Sequence, residues 1–167
     1  MTGTPFTHSV MTMGELVVPA LAGVRWNPGV PGAVLIVTDT SLAALALNPH
    51  PDDASPDRVV LVWSGTCEAA MGAPNDEALS GHRLYERGLA DLVWAGIVKD
   101  SERIADLERR NRVHPHHNPE RFTRLRHFIL PLKEGTAEII AEDVQVQRHS
   151  GPLFDAASLT PRSSWMQ

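Results

Sequence analysis

Short apolar runs separated by turn signals set the kind of fold that this chain can form. Residues 33–38 are rich in apolar and β-branched side chains, and the turn-forming residues 39–41 follow them directly. Residues 42–47, 59–63 and 67–71 repeat the pattern of a short apolar run. Runs of this length bounded by turn residues are typical of strands joined by tight connections. The first half of the chain therefore predicts four short strands.

The second half predicts two short helices followed by a β-hairpin. Ser101 can cap a helix over residues 102–110, in which acids come early and arginines late, as the helix dipole favours. Pro119 stands at the first helical position of a second helix start. Residues 127–132 and 136–146 are apolar enough to pair as the two strands of a hairpin.

The order of these elements favours an α+β domain. Strands, helices and a hairpin follow one another without β-α-β alternation, so a doubly wound parallel sheet is not expected. We expect a mainly antiparallel sheet, which could curl into a partial barrel, with two short helices between residues 100 and 126. The length of 167 residues suits a single domain. Residues 1–14 and 150–167 are expected to form loosely ordered tails.

Composition excludes several classes of protein. The net charge is −5 and no basic face is visible, so nucleic acid is not an expected partner. A single cysteine, Cys67, excludes an internal disulfide. No apolar run approaches the roughly 20 residues of a membrane span, and residues 1–10 lack the pattern of a signal peptide. We therefore expect a cytoplasmic protein without a membrane partner. The sequence is compatible with a small-molecule ligand and with a homo-oligomer.

One loop concentrates residues that could carry chemistry. The common nucleotide, zinc and serine-hydrolase motifs are absent, but Asp76, Glu77 and His82 fall close together between predicted strands. A carboxylate beside a histidine orients its ring and raises its basicity, which suits proton transfer near neutral pH. The sequence thus predicts His82 with Asp76 or Glu77 as a catalytic acid–base group. The alternative is a structural turn, in which Asn75 caps residues 76–79 and His82 is an ordinary polar residue.

Histidines supply two further candidates. His114 lies in a His-Pro-His-His segment between the predicted helices, and His127 begins a predicted strand. Histidine is a common metal ligand, so His114 and His117 could bind zinc, nickel or iron, but a firm site needs three or four ligands, which this spacing does not supply. We therefore expect no bound metal and no cofactor. His127 could face into the sheet, and the alternative for both His114 and His127 is a hydrogen bond to backbone. On the second hairpin strand, Glu138 falls where a cross-strand partner of His127 is expected.

The polar strings of this region resemble an uncharacterised family of small bacterial proteins. The shared pattern is G-x-P-N-D-E-A-x-x-G-H-x-L-Y over residues 72–85, then N-R-V-H-P over residues 111–115 and R-H-F over residues 126–128. The resemblance spans about residues 60–146 and implies no function. The rarity of lysine, together with abundant alanine and proline, also fits a bacterial genome of high GC content.

Two functional hypotheses follow from these residues. The first is a small-molecule enzyme that uses the His82–carboxylate pair in a pocket built by loops. Its predicted ligand contacts are His114, His127, Tyr85 and Asn75. The second is a non-catalytic domain that binds a ligand or another protein. Convergence of the three histidines and the two carboxylates on one cavity favours an enzyme or a ligand site, whereas scattered surface positions favour an interaction domain.

Overall fold

The computed structural model describes residues 14–163, with side chains up to residue 158. Within this range the strands are β1 (Leu16–Pro19), β2 (Val34–Val37), β3 (Leu42–Leu47), β4 (Arg58–Ser64), β5 (Glu68–Gly72), β6 (Gly96–Lys99), β7 (Arg126–Leu132), β8 (Gly135–Ala141) and β9 (Asp143–His149). The helices are α1 (Glu102–Asn111), α2 (Glu120–Thr123) and α3 (Leu153–Ser163). Short 3-10 helices occupy Asp76–Gly81, Tyr85–Arg87 and Leu89–Asp91.

The strands form two sheets in which every pairing among the described residues is antiparallel. The larger sheet has the order β1-β6-β7-β8-β5, and the smaller sheet has the order β2-β3-β4-β9. The predicted α+β class, the antiparallel pairing and the two short helices between residues 100 and 126 are confirmed. The two sheets are not closed into a barrel.

The chain passes from one sheet to the other at two neighbouring bends, or corners, and these explain why there are two sheets. The sequence predicts one strand over residues 136–146, but the chain bends at Glu142, so that β8 pairs in the larger sheet and β9 in the smaller one. Beside this bend, Gly65 separates β4 from β5 with a φ of 62°, a conformation that favours glycine. The amide of Glu142 donates to the carbonyl of Ser64 over 3.1 Å and ties the two corners together. The sheets therefore stack face to face.

The main core lies between the two sheets. Alternate residues of β3, β4, β7 and β8 point into it, and Trp26, Leu45, Trp63 and Phe128 are among its fully buried side chains. The rings of Trp63 and Phe128 meet edge to face with centroids 5.9 Å apart, which is a favourable aromatic geometry. Burial of this apolar surface is the dominant favourable term in folding such a domain.

Helix α3 covers the other face of the smaller sheet. Ala44 and Ala46 of β3 face the helix, and Ala156 and Ala157 of α3 pack against them. Side chains this small let a helix lie close to a sheet. The helix occupies part of residues 150–167, where the sequence predicts a loosely ordered tail, and residues 1–13 of the other predicted tail lie outside the described range. None of the helices between residues 14 and 163 is both long and apolar enough to cross a membrane.

The segment between β5 and β6 covers part of the outer face of the larger sheet. Leu84 and Leu89 are buried there against Val17 of β1. Gly88 has a φ of 100°, and a side chain there would collide with the carbonyl oxygen of Val17, so this close contact requires glycine. The segment forms short 3-10 turns before it enters β6.

The inter-sheet core generates a stability prediction. Leu45 has no exposed surface, so the change Leu45→Ala leaves a cavity between the sheets, and we expect a loss of about 3 kcal/mol in the free energy of unfolding. Val113→Ala is the matched control, because Val113 is 91% exposed and should shift stability by less than about 0.5 kcal/mol. Urea unfolding followed by circular dichroism measures the stability of both variants. Equal midpoints would contradict the packing of Leu45 between the two sheets.

Candidate functional site

A carboxylate on the outer face of the larger sheet gathers four nitrogen-bearing side chains. Glu138 of β8 accepts a hydrogen bond from His127 Nε2 over 2.9 Å, and its oxygens lie 3.0 Å from guanidinium nitrogens of Arg83 and of Arg103. His82 Nε2 is 3.6 Å from the oxygen that faces Arg103. Only 16% of the Glu138 side chain is exposed, so these partners take the place of most of its hydration.

The protonation of Glu138 follows from this setting. Burial alone would raise the pKa of the carboxyl group, but the hydrogen bond from His127 and the charges of His127, Arg103 and Arg83 outweigh it and hold the pKa at about 2. Glu138 is therefore an anion at neutral pH. A carboxylate with so low a pKa is a weak base, and its role is to hold and polarise the groups that donate to it.

Two more acids extend the network to other elements. Glu15, just before β1, accepts from Arg83 and from the backbone amide of Glu102 at the start of α1, the latter over 3.0 Å. Glu68, at the start of β5, accepts from Arg103. Negative and positive side chains thus alternate across the sheet in the order Glu15, Arg83, Glu138, Arg103 and Glu68. The network fastens α1 and the 3-10 segment to the strands.

Strand pairing places His127 and Glu138 on the same face. Ile129 of β7 lies directly opposite Glu138, and His127 is two residues before it, so the two side chains are diagonal neighbours. Side chains in a diagonal pair on one face are within reach of each other when they are long or aromatic. The sequence predicts a cross-strand contact between His127 and Glu138, and the structure has this contact with the diagonal register.

Ser101 lies on the other side of the His127 ring. Its Oγ is 2.8 Å from His127 Nδ1 and accepts from the amide of Ile104 over 3.3 Å, which makes Ser101 the N-cap of α1 as the sequence predicts. Because the Glu138 anion can only accept, Nε2 of His127 carries the proton that faces it. In the neutral ring Nδ1 is then the acceptor, so the Ser101 hydroxyl donates to it. The hydrogen bonds run in one direction, from Ser101 to His127 to Glu138.

A mainly apolar cleft adjoins Ser101 and His127. It lies between α1, α2, β6 and β7, and its apolar walls include Ile97, Ile104, Phe122 and Leu125. Ser101 is 8% exposed and His127 is fully buried. Both residues line the cleft, and of the two Ser101 alone keeps any exposed surface. The site is held by two strands and the start of a helix, whereas the sequence predicts a pocket built by loops.

The structure brings together two of the predicted site residues, His82 and His127, at Glu138. Asp76 instead pairs with Lys133 over 2.8 Å, and this bond holds the pKa of Asp76 below its ordinary value. Glu77 is exposed. Asn75 caps its 3-10 helix by accepting from the amide of Ala78 over 3.1 Å, which is the turn geometry that the structural alternative predicts.

The histidine segment forms local contacts. His114 is exposed in the connection between α1 and α2, and its Nδ1 accepts from the amide of His116 over 3.0 Å. His117 Nε2 is 2.9 Å from a carboxylate oxygen of Glu108 on α1. Tyr85 begins the second 3-10 helix and is half-buried. None of these side chains contacts Glu138 among the described interactions.

The sequence also carries signals for the residues that were not predicted at this site. Glu138 is the one charged residue in β8, an otherwise apolar strand, which indicates a partnered carboxylate on a sheet face. Arg103 lies in the first turn of α1, where the helix dipole disfavours a cation, so its position indicates an acidic partner. Ser101 is recognisable as a cap, and its second contact depends on tertiary structure. Glu15 and Arg83 give no comparable signal.

Across residues 14–163, no group of three or more histidine, cysteine or acidic side chains is arranged to hold a metal ion. Comparisons with protein-family models, with curated proteins and with solved structures give no match.

The Glu138 network predicts a defined acid sensitivity. Because folding lowers the pKa of Glu138 from 4.5 to about 2, its ionisation stabilises the fold above pH 4.5 by about 3 kcal/mol, and this contribution is lost as the pH falls towards 2. Glu138→Gln should lower the free energy of unfolding at pH 7 and flatten its decline between pH 4.5 and 2. Glu86→Gln, at an exposed carboxylate, is the control. Urea unfolding at a series of pH values tests this, and an unchanged slope in Glu138→Gln would contradict the network.

Proposed function

We propose that this protein is a small-molecule hydrolase that works by acyl transfer, with Ser101 as nucleophile, His127 as general base and Glu138 as the group that orients the base. The observation that carries the proposal is the continuous hydrogen bonding from Ser101 through His127 to Glu138, at 2.8 Å and 2.9 Å, beside an apolar cleft. A nucleophile bonded to a base that is itself oriented by a third group is the arrangement that activates serine. The proposal keeps the predicted class of a histidine–carboxylate enzyme.

The reaction follows from the direction of these bonds. As Ser101 Oγ attacks the carbonyl carbon of an ester, its proton passes to His127 Nδ1, and the Glu138 anion stabilises the imidazolium that results. When the tetrahedral intermediate collapses, the imidazolium gives its proton to the departing alcohol. Water then attacks the acyl-serine with His127 again as base, which releases the carboxylic acid and restores Ser101.

Two surrounding features support this chemistry and indicate the substrate class. Ser101 stands at the N-terminus of the ten-residue helix α1, whose dipole favours the negative charge that develops on the carbonyl oxygen. The cleft walls formed by Ile104, Phe122 and Leu125 suit an apolar acyl group. We therefore propose esters of apolar acids as substrates.

His82 takes a supporting role in this proposal. Its Nδ1 accepts from the amide of Leu84 over 3.2 Å, so in the neutral ring Nε2 carries the proton that faces Glu138. His82 thereby helps to hold the carboxylate that orients His127. The carboxylate partner of His82 is Glu138 in place of the predicted Asp76 or Glu77.

The non-catalytic domain remains the competing hypothesis, and the helix-capping role of Ser101 is the observation that favours it. Ser101 accepts from the amide of Ile104, which is sufficient reason for a serine at the start of a helix. The two hypotheses differ in whether the hydroxyl of Ser101 reacts.

The first test is covalent labelling combined with turnover. Wild-type protein should hydrolyse p-nitrophenyl butyrate, and a fluorophosphonate should form one adduct, which peptide mass spectrometry should place on Ser101. Ser101→Ala should lose at least about a hundredfold in kcat/KM and all labelling. It should also lose about 1 kcal/mol of stability through the missing cap.

A second cap serves as the matched control. Asn75→Ala removes a comparable capping bond from the 3-10 helix at Asp76–Gly81 and should keep full turnover and labelling. Equal activity in Ser101→Ala and wild type would contradict the proposal. A folded wild-type protein that neither hydrolyses esters of two to eight acyl carbons nor forms an adduct would favour the non-catalytic domain.

The second test asks whether His82 supports catalysis through Glu138 or only stabilises the fold. His82→Ala removes the donor that faces Glu138 and should lower kcat roughly tenfold, the scale of a group that orients a catalytic side chain, with KM unchanged. His82→Gln keeps an N–H that can reach Glu138 and should retain most of kcat. The supporting role would be wrong if both variants kept the wild-type kcat, or if both lost it to the same extent.

A further inference from the structure

Strand β9 is an open edge of the smaller sheet. Its residues Asp143–His149 pair with β4 on one side, and no other described strand pairs with them on the other side. The backbone N–H and C=O groups that point away from β4 are a template for pairing with a further strand. The sequence of β9 indicates which strand fits there.

The other edges of the two described sheets are shorter than β9. Strands β1 and β2 have four residues each, and β5 has five. In addition, β1 ends in Pro19, and β5 begins at Glu68, which is paired with Arg103. Strand β9 has seven residues in continuous register with β4, and its centre, residues 144–147, carries neither charge nor proline. Among the edges of the described strands, β9 is therefore the best suited to pairing.

The sequence of β9 is complementary to itself when two copies run antiparallel. In the register centred on Val146 all seven residues pair, and Asp143 of one copy lies opposite His149 of the other. Gln145 of one copy then lies opposite Gln147 of the other. Opposite side chains that can hydrogen-bond stabilise a strand pair, and a two-fold axis makes each of these contacts occur twice. Within one strand His149 Nε2 bonds to the Gln147 side chain over 3.1 Å, which leaves Nδ1 for the carboxylate of the other copy.

The two faces of the sheet also match in this register. Val144 and Val146 lie opposite Trp63 and Leu61 of β4, which point between the sheets, so the even-numbered residues of β9 belong to the inner face. A register that pairs even with even keeps every side chain on its own face. Moving the centre by one residue along β9 still meets this condition, but it shortens the ladder and loses both contacts between Asp143 and His149.

Exposure and charge agree with a second copy as the occupant. The Val146 side chain is 43% exposed although it belongs to the inner face, because no described strand continues the sheet beyond it. In the antiparallel pair the two Val146 side chains lie opposite each other at the axis and cover one another. The strand carries one acid, Asp143, and one arginine, Arg148, so two copies of it do not repel.

We propose that this protein forms a homodimer in which the β9 strands of two copies pair antiparallel about Val146 and join their smaller sheets into one. A single strand pair is a small interface, of the kind found in weak complexes, so the dissociation constant is expected in the micromolar range. The proposal is independent of Ser101, since the Glu138 network belongs to the larger sheet and β9 to the smaller one.

The first measurement is sedimentation of the full chain over micromolar to millimolar concentrations. Wild-type protein should pass from monomer to dimer. Val146→Lys places two ammonium groups opposite each other at the axis and should raise the dissociation constant at least about tenfold. Val37→Lys is the matched control, because Val37 is 51% exposed on β2, the opposite edge of the same sheet, and it should leave the dissociation constant unchanged.

The second measurement tests the register by disulfide formation in a Cys67→Ser background. Directly opposite residues of antiparallel strands are about 4.5–5.5 Å apart between Cα atoms, which a disulfide can span. Val146→Cys should therefore cross-link to itself under mild oxidation. Gln145→Cys and Gln147→Cys should each remain uncross-linked alone and should cross-link when mixed.

Three results would overturn the proposal. The first is a wild-type protein that stays monomeric at millimolar concentration. The second is a dimer that Val146→Lys and Val37→Lys weaken equally. The third is cross-linking of Gln145→Cys alone that is as fast as cross-linking of the mixture, because the strands would then pair in another register.

Discussion

The ion pairs of Glu138 hold together parts of the molecule that the apolar core does not reach. Helix α1 has no fully buried residue, so apolar packing alone does not fix where it begins. Three contacts hold its first turn in place. Ser101 is hydrogen-bonded to His127, and Arg103 forms an ion pair with Glu138. The backbone amide of Glu102 donates a hydrogen bond to Glu15. A half-buried carboxylate with several charged donors is worth far more than an exposed pair, because removing it leaves those charges uncompensated. Placement of α1, and with it the cleft, therefore depends on Glu138.

The two faces of the larger sheet differ: the inner face packs the core, and the outer face carries the Glu138 network. Along β7, Phe128 and Leu130 point inward and pack against the smaller sheet, whereas His127 points outward to Glu138. This alternation follows from the two-residue period of a strand. Strands hold side chains more precisely than loops do, which suits the short hydrogen bonds at His127.

Sequence patterns predict local structure well in this chain and long-range contacts poorly. The strand over residues 42–47 and the cap at Ser101 were predictable because apolar runs and capping residues act within a few positions. The division of residues 136–146 between two sheets was not, since the bend at Glu142 depends on the neighbouring corner at Gly65. The partner of His82 was likewise missed: nearby carboxylates in the sequence suggested Asp76 or Glu77, but the segment between β5 and β6 packs over the larger sheet and brings His82 to Glu138. Contacts of that kind depend on tertiary packing.

The tautomer of His127 is the most direct measure of the central claim, that Glu138 fixes the ring so that Nδ1 can take a proton from Ser101. Long-range ¹H–¹⁵N correlation NMR on protein labelled with ¹⁵N-histidine distinguishes a protonated ring nitrogen from one with a free lone pair. We expect the neutral ring of His127 to carry its proton on Nε2, with Nδ1 unprotonated. A proton on Nδ1 with Nε2 bare would contradict it, because the serine would then be an acceptor and could not be activated by this ring.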